Sequence, residues 1–394
     1  MPSPSRKKSR GRKSEKKIDP ELRTSIAEEL LEEQLSLQPP TLPADPVVLC
    51  TSLGRGQIAL SLASQIPGSH VTCCAFDSFL AEQMQAFLDQ FWVDDDDDLE
   101  IDVDLESVDE GASNNKIEVL CAADFPERQA DMVVIPVKKS GDGELTRDWL
   151  QTGVQRLKIG GQLWTAVDHP RDHWLHEELK RYFPKVKKIP AKKGVTYIAT
   201  KTKEIKKVKN FRAEFAFRDQ GRMIQGVTRP GVFCHRRVDA GARAIMSVME
   251  IAPGNRVADI GCGSGAVGMA AALRHPDVTV LAIDSNPRAL ECTQRGAEIN
   301  GITNIVISLN ADAVCEPQGE FDVVVGNPPY YSNYRIAEIF LQGASRALRP
   351  GGRVWMVTKQ PNWFVERMSE MFDNVNEIPA KGYSVIVGTK AEEG

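Results

Sequence analysis

The chain contains the same unit twice, and a fold for it must accommodate both copies. Residues 156–167 read RLKIGGQLWTAV and residues 347–358 read ALRPGGRVWMVT. IPAKKGVTYIATK (189–201) is matched by IPAKGYSVIVGTK (378–390), and ADMVVIP (130–136) by FDVVVGN (321–327). Upstream, SLGRGQIALSLASQIPGSHVTCCAFDS (52–78) is matched by GCGSGAVGMAAALRHPDVTVLAIDS (261–285). The offset falls from 209 at the glycine turn to 191 mid-chain and 189 at the end. Most of that change lies between residues 78 and 130, so the first copy carries an insertion there. Four collinear blocks argue for internal duplication.

Each copy alternates short β-rich runs with amphipathic helical runs. In the second, strands are predicted at 256–260, 278–283, 304–309, 321–326, 353–358 and 383–389, with helices at 265–275, 286–300, 335–349 and 361–371. That alternation specifies a mostly parallel, doubly wound sheet. The short approach and Gly-Tyr turn before the final strand predict that it runs antiparallel. The expected organisation is a basic, disordered tail over 1–18, a first copy over 45–205 with an acidic insertion at 93–116, a linker over 206–227, and a second copy over 228–390. A further helix is predicted within 19–37, ending before Pro39 and Pro40.

No run approaches ~18 uninterrupted apolar residues, which argues against a membrane span. The basic N-terminus has no apolar segment behind it, so no secretory signal is expected. Eight cysteines are scattered without a CxxC pair, the pattern of reduced thiols in a cytoplasmic protein.

The formal net charge of −5 conceals segregated blocks. Residues 1–17 carry eight Lys/Arg against one Glu, residues 94–110 eleven acids and no base, and residues 185–209 ten Lys against Glu204. Such blocks suit solvated tails and loops; the two basic ones also suit a polyanionic partner such as RNA.

Four motifs in the second copy carry chemistry. VADIGCGSG (257–265) ends a buried strand at Asp259 and opens a helix through Gly261, Gly263 and Gly265. Glycines permit positive φ and close approach of a ligand, and the helix start presents unpaired N–H donors. Gly263 to Gly268 also fits G-x-G-x-x-G, so a nicotinamide dinucleotide is one candidate ligand. LAIDSNP (281–287) puts Asp284 nineteen residues beyond Gly265, where a carboxylate can bind two ribose hydroxyls of either NAD or S-adenosylmethionine. In LNADAV (309–314), Asp312 is placed to accept from an adenine amino group, to cap a helix, or both.

VVVGNPPYYSN (323–333) separates these ligands. It sets Asn327, Pro328, Pro329 and Tyr330 directly after the fourth strand, at the carboxyl edge where doubly wound sheets bind ligands. An amino group on a planar base or amide is a poor nucleophile because its lone pair is delocalised. The Asn327 side-chain oxygen and the Pro328 carbonyl can each accept one N–H, orienting that lone pair and favouring developing positive charge. Tyr330 offers a face for a planar substrate. Hydride transfer has no use for such a clamp.

With these motifs, residues 228–390 resemble a class I S-adenosylmethionine-dependent methyltransferase bearing the N-P-P-[YF] motif of amino-group methylation. The tandem arrangement, and TRPGVFCHRRVDAGARAI (228–245) ahead of the second copy, resemble the bacterial ribosomal RNA guanine-N2 methyltransferases. The resemblance covers most of 45–390. It implies two Rossmann-like methyltransferase domains, the N-terminal one degenerate, with S-adenosylmethionine held by Asp259, Gly261, Gly263, Gly265, Asp284 and Asp312, and the target amine held by Asn327 through Tyr330. The expected enzyme is monomeric or weakly associating, with ribosomal RNA or a ribosomal subunit precursor as partner. Adenine N6, a release-factor glutamine, and a non-catalytic assembly role are the alternatives. Phe233 suits either the active site or a core.

The first copy lacks the clamp. Cys50 stands where the second has Asp259, Ser52 where it has Gly261, and Pro136 where it has Asn327, although Gly54, Gly56 and Asp77 remain. A substrate-binding and structural role is expected for it, with the lysines at 138–139 and 185–193 as candidate phosphate contacts. His169, His173 and His176 have no accompanying carboxylate cluster, and no metal site is expected.

Overall fold

The computed structural model describes residues 24–91, 115–329 and 334–392. The basic tail, nearly all of the acidic insertion, and Tyr330 lie outside the described residues.

A capped helix opens the described chain. Helix α1 (Ile26–Leu37) begins at Ser25, whose hydroxyl accepts the Glu28 N–H while the Glu28 carboxylate accepts the Ser25 N–H, a reciprocal capping box. The first sheet follows: β1 (Val47–Thr51), β2 (His70–Ala75), β3 (Lys116–Cys121), β4 (Ala130–Val137), β5 (Leu157–Val167), β6 (Lys187–Pro190) and β7 (Val195–Thr200). It is crossed by α2 (Gln57–Gln65), α3 (Ser78–Phe91), α4 (Gly143–Arg156) and α5 (Trp174–Leu179). A hairpin of β8 (Ala213–Asp219) and β9 (Arg222–Thr228) then occupies the stretch expected as linker. Its two-residue turn has positive φ at both Gln220 and Gly221, the twist that matches paired strands.

The second copy opens with α6 (Ala240–Val248) and builds β10 (Arg256–Ile260), β11 (Thr279–Asp284), β12 (Ile305–Leu309), β13 (Phe321–Gly326), β14 (Leu348–Thr358), β15 (Asp373–Ala380) and β16 (Tyr383–Thr389). Its crossover helices are α7 (Ala266–Ala272), α8 (Pro287–Ile299), α9 (Arg335–Ala347) and α10 (Pro361–Ser369).

The sheets have the same strand order: β3-β2-β1-β4-β5-β7-β6 in the first and β12-β11-β10-β13-β14-β16-β15 in the second. The first five strands of each pair in parallel and the last two antiparallel. Two tandem doubly wound domains are therefore present. The central strands are buried on both faces, as a sheet covered by helices requires: Val257 and Ala258 on β10 and Val324 and Val325 on β13 have no exposed surface. The spacing did not reveal α6 or the edge strand β15, whose exposed, polar residues lack a clean alternation.

The two copies meet through the loops that follow their second strands. The Ser78 N–H donates to the Ser285 carbonyl (2.8 Å) and the Ser285 hydroxyl to Asp77 (2.6 Å). Beside this contact, Arg288 on α8 is 1% exposed. It donates to Asp148 (2.8 Å), Asp124 (3.1 Å) and the Ala123 carbonyl (2.6 Å) of the first domain. Arg229 grips both oxygens of Asp124 at 2.6 and 2.9 Å and also Glu291 at 2.6 Å. Two buried guanidiniums are thus balanced by carboxylates from both domains, the arrangement that makes a buried charge tolerable.

Candidate active site

The site is built where β10, β11 and β13 end. After β10 the chain turns through Gly261, Gly263 and Gly265, with φ of 70°, 56° and 73°. At Gly261 an added Cβ would stand 2.5 Å from the Phe340 ring of α9, so that glycine makes room for the core. At Gly263 nothing lies within 4 Å of where a Cβ would stand. Its backbone edges an open cleft, and a side chain there would enter the space a ligand needs.

The cleft is lined by Phe233, Asp239, Asp259, Gly261, Gly263 and Asn327, among others. Asp259 is 3% exposed and accepts the Gly268 N–H at 2.8 Å, tying the strand to α7. Burial pushes its carboxyl up to about 7, against the opposing Gly268 bond, with the charge of Asp284 adding to the rise. Asp284 accepts the N–H groups of Gly263 (2.8 Å) and Asn286 (2.9 Å). Burial raises it to about 6, those two bonds holding it lower than burial alone would. The pair of acids expected from the sequence therefore braces one turn.

Asn327 follows β13 and reaches the same cleft. Its amide nitrogen donates to Asp239 Oδ2 at 2.8 Å. That oxygen also accepts the N–H groups of Gly241 (2.8 Å) and Ala242 (3.3 Å) as the N-cap of α6. Since a carboxylate only accepts, this contact sets which way round the amide stands. Its oxygen has no hydrogen-bond partner among the described residues. A Cβ on Gly241 would stand 2.9 Å from that oxygen, so the side chain depends on a glycine to lie where it does. Asp239 was not among the residues expected from sequence. The signal was present in VDAGARAI, an Asp capping an apolar helical run.

Two readings left open by the sequence are narrowed. Asp312 is exposed and does not cap a helix. Its loop is instead closed by Asn310, whose side chain accepts the Val314 N–H and donates to the Val314 carbonyl, both at 3.1 Å. Its charge reaches toward Glu82 of the first domain, raising that carboxyl after the larger effect of burial. Phe233 is 64% exposed at the cleft rim, not a core aromatic. It rides on a strap in which Cys234 and Arg236 both have positive φ, a conformation costing non-glycine residues about 1–2 kcal/mol each. Thr228 holds the strap through His235 (2.7 Å) and the Arg236 N–H (3.0 Å). From the first domain, Glu144 holds Arg236 at 2.7 Å.

The corresponding cleft of the first domain is filled from within. Glu28 of α1 is fully buried and accepts from the Ser52 hydroxyl (2.5 Å) and the Leu53 N–H (3.0 Å). Ser52 in turn accepts the N–H groups of Gly54 and Gly56, both at 3.1 Å. A carboxylate and a hydroxyl thus satisfy the donors of the glycine turn, and Asp77 is engaged with Ser285. His176 stacks on Tyr197 at 5.4 Å, and Asp172 accepts the Tyr197 hydroxyl at 2.8 Å. Among the described residues no group of three or more His, Cys, Asp or Glu is placed to hold a metal ion, and no helix is long and apolar enough to cross a membrane.

Strand order, glycine turn and paired acids define the second copy as a methyltransferase-type α/β domain. Residues 224–387 match the model of the methyltransferase small domain. Over 148 residues the chain is 32% identical to the ribosomal RNA small subunit methyltransferase C of Hahella chejuensis, covering 36% of this chain and 43% of that one. Over 157 residues it is 35% identical to the ribosomal RNA large subunit methyltransferase G of Streptomyces coelicolor, covering 38% and 41%. The chain thus spans about two-fifths of the length of these curated relatives. The likeness to the T. thermophilus 16S rRNA N2 methyltransferase RsmC, solved with AdoMet and guanosine, extends over 93% of this chain and 92% of that one. Its TM-score is 0.70 at 19% identity, a likeness of fold that includes both tandem domains.

Proposed function

We propose that the second domain transfers a methyl group from S-adenosylmethionine to an exocyclic base amine of ribosomal RNA, with guanine N2 as the target. The observation that carries this reading is the Asn327 amide, turned by Asp239 so that its oxygen is left to accept an N–H beside the glycine turn. S-adenosylmethionine supplies an electrophilic methyl group on a sulfonium sulfur. The residues fit such a ligand: the Gly263 backbone faces open space, and Asp284 ends β11 where ribose hydroxyls can donate to it. Asn327 and the Pro328 carbonyl would hold the two amine hydrogens, localising the nitrogen lone pair toward the methyl donor. As the N–C bond formed, the methyl–sulfur bond would break with its electron pair leaving on the neutral thioether, and the positively charged nitrogen would release one proton to solvent. The exposed Phe233 ring at the rim suits a base turned out of its stack. The curated relatives' names agree with the RNA class; Tyr330, read from sequence as a stacking face, lies outside the described residues.

The reading is tested by assaying labelled-methyl transfer to total RNA, with mass mapping of the modified nucleotide. Asn327→Ala is expected to abolish transfer while leaving S-adenosylmethionine affinity within about twofold. Parallel loss of both would refute the clamp, and label recovered on adenine or on protein would refute guanine.

A further inference from the structure

A second concavity lies on the other side of α6 from the active-site cleft. Its volume is about 310 Å³, and Arg218, Arg243 and Lys381 face into it with Asp219, Gln220 and Arg274. The acid and one of the arginines are already committed to each other. Arg274 has a side chain 4% exposed and meets both oxygens of Asp219, at 3.3 and 3.4 Å. It also donates to the carbonyls of Met246 (2.6 Å) and Met249 (2.5 Å) at the end of α6. It is a strut joining the β8–β9 turn to that helix. Arg222, beside the same turn, donates to the Leu273 carbonyl at 2.7 Å. The walls are therefore fixed before anything binds, while the side chains of Arg218, Arg243 and Lys381 have no hydrogen-bond or ion-pair partner among the described residues.

Three like charges around a concavity repel one another, and the low-dielectric walls concentrate their field there. An anion relieves that repulsion, and the planar guanidiniums of Arg218 and Arg243 match the oxygens of a phosphate. No aromatic ring lines the pocket, so it has no face for a base. α6 is the wall it shares with the active-site cleft. Asp239, Ala242 and Ile245 face the cleft, and Arg243, Met246 and Ser247 face the basic pocket. Arg243 lies four residues beyond Asp239, about 6 Å along the helix axis, and the two concavities are separated by the ~10 Å thickness of that one helix.

We propose that Arg218, Arg243 and Lys381 form a phosphodiester site that seats the RNA backbone next to the nucleotide being methylated. The site rests on the reading of RNA as substrate and adds where the strand lies. It reads no sequence, because a phosphate carries none.

Binding of a fluorescent single-stranded RNA to the full chain tests this. Affinities are measured between 50 and 200 mM salt for the wild type, Arg218→Gln/Arg243→Gln and Lys381→Gln. Each lost phosphate contact makes the log–log salt dependence shallower by about 0.7. The double variant is expected to bind severalfold more weakly, to the same extent for RNAs of different sequence, with an unchanged melting temperature. The exposed Lys381 can be exchanged without disturbing the core, so a fault in folding would leave its variant informative. Unchanged affinity and slope in both variants would overturn the site. Methyl transfer, measured separately, reports on the chemistry at Asn327: a wild type that binds RNA with the expected slope but methylates nothing refutes the proposed function and not the pocket.

Discussion

Replacing Asp239 separates the placement of Asn327 from the stability of the domain. One oxygen of this carboxylate accepts from Asn327 Nδ2 at 2.8 Å and from the first N–H groups of α6 at 2.8 and 3.3 Å. A hydrogen bond to a charged group contributes about 1.5–3 kcal/mol. If it serves to hold the amide in its reactive orientation, its loss corresponds to about 10–100-fold in kcat, at about 1.4 kcal/mol per factor of ten. Loss of the cap alone costs about 1 kcal/mol, a fall of about 2–4 °C in Tm for a domain of this size. Asp239→Ala is expected to show both effects. Asp239→Ser restores a capping oxygen on a shorter side chain, and so recovers Tm without recovering kcat. Asp239→Asn keeps a neutral acceptor and falls between. The assay is steady-state methyl transfer at saturating RNA and S-adenosylmethionine, with thermal melting on the same preparations. If Asp239→Ser restored kcat together with Tm, Asp239 would be a helix cap and nothing more.

The remaining predictions concern the glycine turn, the buried acids and the domain interface. Gly261→Ala should fail to fold stably because its Cβ meets Phe340 at 2.5 Å. Gly263→Ala, with open space ahead of it, should fold with a loss of about 1–2 kcal/mol for its positive φ but bind S-adenosylmethionine poorly; equal behaviour of the two in melting and titration calorimetry would contradict the assignment. If ionised Asp284 accepts from ribose hydroxyls as proposed, affinity for S-adenosylmethionine should rise with pH through about 6 and become flat in Asp284→Asn, read by calorimetry between pH 5 and 8. For the ligand-free protein the sign is opposite. Asp259, raised to about 7, binds its proton more tightly folded than unfolded, so the stability it contributes is full below about 3.9 and lost as pH rises through about 7. Asp259→Asn should flatten that slope in denaturant unfolding. Arg288→Met leaves Asp148 without its 2.8 Å partner and should cost about 3–5 kcal/mol; a loss below about 1 kcal/mol in the same measurement would show that the interface does not depend on Arg288.

Local chemistry and repetition made much of this protein legible before any coordinates. Strand–helix alternation placed α7, α8, α9 and α10 within a few residues, and a repeated pattern required a repeated strand order because the same hydrophobic periods bury the same faces. The turn glycines, Asp259, Asp284 and Asn327 were readable because each stands at a strand end, where backbone geometry and chain position alone put it at the ligand-binding edge. The meeting of Gly261, Gly263, Asp259 and Asn327 at one cleft, and the assignments drawn from it, depended on residues distant in sequence. Asp239 lies 88 positions from the Asn327 it orients, and Glu28 lies 24 from the Ser52 it satisfies in the first domain. Asp312 could not be settled from its neighbours, since a turn closed by Asn310 and a helix cap use the same residue types. The basic pocket is the extreme case: β8, α6, the end of α7 and the turn before β16 contribute to it, and no local pattern marks any of its cations. Sequence determined most of the second copy's strands and crossover helices and the groups at their ends, because those depend on neighbours along the chain. Packing alone decided which of those groups meet, because hydrogen bonds and charges act over a few ångströms irrespective of how much chain lies between them.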